Sequence, residues 1–128
     1  MKPVTREWVA KAEQDFSAAC TLRRGKRATH DTVCFLCQQC VEKYLKARLE
    51  EESLLIPKTH DCNALLILLL PIEPLWAPFD PLLRLLSAYA VKFRYPGHTA
   101  TAGDAKQALR DCKFLRKQIR TTLGLPVQ

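Results

Sequence analysis

The sequence predicts an all-α fold of about five helices. Three observations carry this. Apolar residues recur at three- and four-residue spacing through most of the chain. Leu and Ala supply most of the 48% hydrophobic content, while aromatics are 8% and there are only 4 glycines, a mix that favours helix over sheet. The breaks between periodic stretches carry helix-end chemistry, with Pro81, Thr101 and Gly124 at the right places. A length of 128 residues fits one domain, 1–128, with enough chain to bury a core.

The first helix is expected over about Thr5 to Leu22, with Trp8, Ala12, Phe16 and Ala19 on one stripe. Asp15 falls on that stripe, so it needs a Lys or Arg partner. A basic loop follows, in which Arg23, Arg24, Lys26 and Arg27 surround Gly25. The second helix is expected from Asp31, as N-cap, to Ser53. Cys34, Cys37, Val41, Tyr44 and Leu45 form its apolar side. Gln38, Glu42 and Lys46 lie four apart on its other side and read as an exposed helix surface.

A third helix starts near His60 or Asp61 and ends at Pro71. Its centre, Ala64 to Leu70, is apolar all round and should be covered on every side. The four prolines of residues 71–81 predict a stiff, non-helical connection, within which Trp76 and Phe79 must find packing. The fourth helix takes Asp80 as N-cap and Pro81 at N1, and runs to about Arg94. Two helices this apolar predict either a subunit interface or a deep central position. The fifth runs from Thr101 to Leu123, with Asp104 completing a capping box and Gly124 at C′.

The charged N-terminus does not read as a signal peptide, and no apolar run is long enough to span a bilayer. A cytoplasmic protein with no membrane role is expected. The run Cys34, Cys37, Cys40 has the C-x2-C-x2-C form of a cluster site, but such a site needs a fourth thiolate and no spacing selects one. Small core hydrophobes are the expectation, with no metal and no cofactor.

The net charge of +7 is unevenly placed. Residues 1–80 hold 11 basic and 11 acidic side chains, whereas 81–128 hold nine and two. Lys106, Arg110, Lys113, Lys117 and Arg120 project from one side of the fifth helix, opposite Ala108, Cys112, Leu115 and Ile119. The stripe is either solvated or a contact for a polyanion such as RNA.

Residues 92–101 hold the residue types that chemistry would need. Pro96 takes Tyr95 out of helical conformation and Gly97 permits positive φ. Arg94 offers a planar fork to a phosphate, His98 can act as base or acid, and Tyr95 can stack on a base. An Arg and a His so placed suit cleavage of RNA by 2′-hydroxyl attack. They equally suit an ordinary helix end and surface turn.

Several pieces in order then resemble a known family. They are Trp8, Ala12 and Asp15, then Phe35, Gln38, Gln39, Glu42, Lys43, Leu45, Lys46 and Ala47 in an F-x-x-Q-Q-x-x-E-K-x-L-K-A pattern. Pro57-Lys-Thr-His-Asp61, Arg94-Tyr-Pro-Gly97 and the close at Leu123-Gly-Leu125 complete them. The chain resembles HEPN-domain proteins over nearly its whole length. The resemblance implies an up-and-down bundle with a four-helix core and a short extra helix. It also implies a homodimer, and a minimal nucleotidyltransferase as partner, in some cases as toxin and antitoxin. Some members cut RNA without metal, and others are nucleotide-binding modules. Catalytic members place four to six residues between an Arg and a His, whereas three separate Arg94 from His98.

The expected function is therefore nucleotide or RNA binding beside a nucleotidyltransferase. One rival is a metal-independent ribonuclease toxin using Arg94 and His98. The other is a structural dimer docking an acidic protein. The candidate catalytic pair is Arg94 and His98. Candidate nucleotide or RNA contacts are Tyr95, Lys43, Lys46, Lys106, Arg110, Lys113 and Lys117.

Overall fold

The computed structural model describes residues 1–128. Five α-helices form, α1 (Pro3–Arg24), α2 (His30–Glu51), α3 (Cys62–Leu69), α4 (Asp80–Lys92) and α5 (Ala102–Thr122), with a 3-10 helix at Pro74–Phe79 and no strand. α2 is the central element and packs on each of the other four α-helices. A connected cluster of 28 buried side chains draws on all five, so α2 has almost no solvated face.

Local chemistry sets the boundaries. α1 starts early because Pro3 sits in its first turn, where a missing N–H costs nothing. α2 starts at His30 with Thr29 as N-cap, so Asp31 is not the cap. Its carboxylate instead accepts from the Ala100 N–H at 2.7 Å, tying the start of α2 to the approach of α5. Asp61 caps α3 by accepting from the Asn63 N–H at 2.9 Å. α3 ends at Leu69, short of Pro71, whose missing N–H closes the ladder.

The proline-rich connection contains a helical turn after all. Pro74 starts the 3-10 helix, and Trp76 and Phe79, three apart, fall on one side of it. Both are buried, with ring centroids 5.9 Å apart, and Phe79 meets Phe114 of α5 edge-on at 5.6 Å. This turn runs straight into α4, so Asp80 is already helical and is not an N-cap. Its carboxylate binds Asn63 Nδ2 at 2.8 Å and Arg84 Nε at 2.7 Å. α5 has the expected capping box, Thr101 and Asp104 each accepting from the other's N–H at 3.0 Å. Gly124 takes φ +72° beyond its end, as a C′ glycine should.

α3 is not covered on every side. Ile67 and Leu68 are exposed, as are Leu75 of the 3-10 helix and Leu85 and Val91 of α4. No helix is long and apolar enough to cross a membrane. Cys34, Cys37 and Cys40 lie in the core as free thiols. Burial pushes the Cys34 thiol up to about 12, and a hydrogen bond with Cys112 together with burial raises Cys37. Both stay protonated and pack as small apolar groups.

Candidate functional site

The polar side of α2 is buried rather than exposed. Gln38, Glu42 and Lys46 are 1%, 3% and 7% accessible. Buried polar groups require partners, and each has them. Lys46 Nζ lies 3.0 Å from Glu42 Oε2 and 5.6 Å from the centre of the Trp8 ring. Gln38 Nε2 donates to Glu42 Oε1 at 3.1 Å and to the His60 carbonyl at 2.9 Å. Gln39 Nε2 donates to Gln38 Oε1 at 2.8 Å.

The His60 ring completes this network. Its Nδ1 is 3.2 Å from both Glu42 oxygens. A carboxylate only accepts, so Nδ1 carries the proton and Nε2 is left free. The carboxylate is buried while the imidazole is 81% exposed, so the network ends at solvent on a histidine. Asp61, the residue after His60, is held at the start of α3 by accepting from the Asn63 N–H.

His60 opens onto a cleft of about 350 Å³. Gln38, Gln39, Asp61, Ser87, Phe35, Ala90, Val91 and Arg94 form the rest of its wall. The Arg94 guanidinium sits 5.5 Å from the centre of the Phe35 ring, which holds it at the mouth by a cation–π contact. The cleft thus combines a permanent cation, two amides, an imidazole and an apolar floor.

Arg94 reaches this cleft from the end of α4, but Tyr95 and His98 do not line it. Both are exposed on the following turn, where Gly97 takes φ +95°. The candidate pair Arg94 and His98 is therefore not assembled around this cavity, whereas Arg94 and His60 share it. Lys43 and Lys46 are both engaged inside the protein, Lys43 with Asp15 at 2.6 Å and Lys46 with Glu42. The Asp15 pair is the one its place on the α1 stripe demanded.

Lys106, Arg110, Lys113 and Lys117 are exposed along α5. Arg120 leaves that stripe, its Nη1 donating to the Tyr44 hydroxyl at 2.8 Å. Arg23 from the end of α1 joins Lys106, Arg110 and Lys113 around a second cleft of about 410 Å³. The basic loop and the basic stripe, far apart in sequence, are therefore neighbours.

The family model of the HEPN domain matches residues 5–121. The chain belongs to the HEPN family. No curated protein and no solved structure matches it. HEPN membership agrees with the all-helical architecture and bears on nucleotide- or RNA-related function in general terms. Sequence reasoning missed His60, Glu42 and Gln38 as one unit. The available signal was the four-residue spacing of Gln38, Glu42 and Lys46 together with the Lys58-Thr-His-Asp61 string.

Proposed function

We propose that this HEPN-domain protein binds nucleotide or RNA through the Arg94 cleft, as a homodimer paired with a minimal nucleotidyltransferase in a toxin–antitoxin system. The observation that carries the reading is Arg94 at the mouth of a cleft walled by Gln38, Gln39 and Phe35. A guanidinium binds phosphate as a fork, amides read base edges, and an aromatic floor accepts a base. Tyr95, next to Arg94 and 62% exposed, offers a stacking surface for a nucleotide that extends out of the cleft. The second cleft, with Arg23, Lys106, Arg110 and Lys113, supplies the phosphate contacts that a longer RNA needs, and Lys117 extends them along α5. Exposed Ile67, Leu75 and Val91 supply apolar surface for the dimer.

Calorimetric titration with ATP and GTP tests the reading. Saturable binding is expected, weakened about tenfold or more by Arg94→Ala through loss of a charge-assisted contact. Binding that ignores this substitution removes the cleft as the site. Co-purification with a nucleotidyltransferase tests the partnership.

A further inference from the structure

We propose that the Arg94 cleft selects guanine, with Asp61 as the residue that reads the base. The inference rests on the nucleotide reading above and names which base that same site takes. The polar atoms that the wall leaves unused carry it. Gln38 Nε2 already donates to Glu42 and to the His60 carbonyl, and Gln38 Oε1 accepts from Gln39. Glu42 is held by Lys46, Gln38 and the His60 ring, and the Ser87 hydroxyl oxygen is sealed from solvent. Asp61 Oδ1 accepts from the Asn63 N–H at 2.9 Å, whereas Asp61 Oδ2 has no partner. Gln39 Oε1 and His60 Nε2 are also unclaimed, and both accept. The free donors are one N–H of Gln39 and the whole guanidinium of Arg94, which makes no hydrogen bond or ion pair within the chain and rests on the Phe35 ring.

Arg94 and Asp61 line one cleft of about 350 Å³ and form no ion pair with each other. Opposite charges left unpaired in one small cavity suit a ligand that is anionic at one end and rich in donors at the other. A volume of about 350 Å³ is at the low end for ligand pockets, enough for a base and its ribose with the phosphates at the mouth. Arg94 takes a phosphate as a fork, and the base then meets acceptors. Guanine is the base whose Watson–Crick edge offers two adjacent donors, N1–H and the 2-amino group. A carboxylate accepts from both. Adenine and cytosine each set one amino donor beside a ring nitrogen that accepts, and uracil has one N–H between two carbonyls. Against any of these, the Asp61 carboxylate meets a lone pair. A site built to hydrogen-bond a group rejects the analogue that lacks it. Free guanine nucleotide and an unpaired guanosine in RNA present the same edge.

Calorimetric titration of the full chain with GTP, ATP and inosine triphosphate tests the assignment. GTP is expected to bind about tenfold or more tighter than ATP. Inosine triphosphate, which lacks the 2-amino group, should fall between them. Asp61→Asn keeps an N-cap of equal quality, so α3 should start as before. Its amide oxygen stays on the Asn63 N–H and its NH2 takes the place of Oδ2, turning an acceptor into a donor. GTP affinity should then fall about tenfold or more while ATP affinity does not fall. Xanthosine triphosphate, with an oxygen in place of the 2-amino group, should gain. A merely structural role for Asp61 would lower all of these together. Asp61→Ser, which also caps, should lose the preference for GTP without the gain for xanthosine triphosphate. A short oligouridylate with one central guanosine separates the two sources of the base. Binding tighter than that of GTP assigns the guanine to RNA, weaker binding assigns it to the free nucleotide, and both support the reading. Equal affinity for GTP and ATP, or a GTP preference that survives Asp61→Asn, overturns the assignment and leaves nucleotide binding at Arg94 standing. Absence of any nucleotide or RNA binding removes both.

Discussion

The buried side of α2 and the turn after α4 hold their functional groups in opposite ways. At the cleft, His60 is fixed by a carboxylate and its carbonyl by an amide, and both of those side chains are themselves bound. On the turn, Tyr95 and His98 stand exposed beside a glycine at φ +95°. Both regions offer a histidine, and Arg94 lies between them. A group that must act on a bound molecule gains from being held before the molecule arrives. The contrast therefore favours His60 over the histidine that the residue string around Arg94 first suggests.

The sharpest way to break this contrast is to unpair the network. Glu42→Ala leaves the Lys46 ammonium buried without its carboxylate and should cost about 3–5 kcal/mol, read as a lower urea midpoint. Adding Lys46→Ala should recover part of the loss, because the stranded charge goes with it. His98→Ala, by comparison, should stay within about 0.5 kcal/mol of wild type. A Glu42→Ala cost below about 1 kcal/mol, the range of surface pairs, would mean that the cleft is held no better than the turn.

A second held network lies on the other side of α2 and tests whether tight holding is general to this helix. Glu13 accepts from Tyr44 Oη at 2.5 Å and from Arg116 at 2.6 and 2.8 Å. Burial alone would raise the Glu13 carboxyl, but the hydrogen bonds from Arg116 and Tyr44 outweigh it and leave it below its ordinary 4.5. The folded form thus binds this proton less readily than the unfolded chain. Its contribution is complete above pH 4.5 and is lost as pH falls through the lowered folded value. Glu13→Gln should cost about 2 kcal/mol at neutral pH. The gap between variant and wild type should close in acid, measured by urea denaturation across pH.

Much of the fold was legible in the sequence because it rests on local signals. The α5 capping box, Gly124 at C′ and the apolar side of α2 depend on residues a few positions apart. The misreadings share a cause. Asp31 and Asp80 look like caps, yet each is claimed by a distant group, the Ala100 N–H and Asn63. Gln38, Glu42 and Lys46 look like a solvated face because their polarity is visible and their burial is not. Their cover comes from α1 through Trp8 and from the His60 loop. The candidate site followed the same pattern. Arg94, His98 and Tyr95 are adjacent in the chain and so were legible, whereas the Glu42–His60 contact joins residues 18 apart and needed the fold.

The smallest expected effect separates turn from cleft most cleanly. Gly97 is at φ +95°, and a Cβ placed there meets nothing within 4 Å. Gly97→Ala therefore costs only backbone strain, about 1 kcal/mol, seen as a slightly lower thermal midpoint. That strain is relieved by readjusting the segment that carries Tyr95 and His98. Arg94 precedes the turn and is anchored on Phe35, so the cleft keeps its shape. Displacement of Tyr95 should weaken ATP binding, but by clearly less than Arg94→Ala does. A fall as large as that of Arg94→Ala would mean that the turn, and not the cleft, carries the binding.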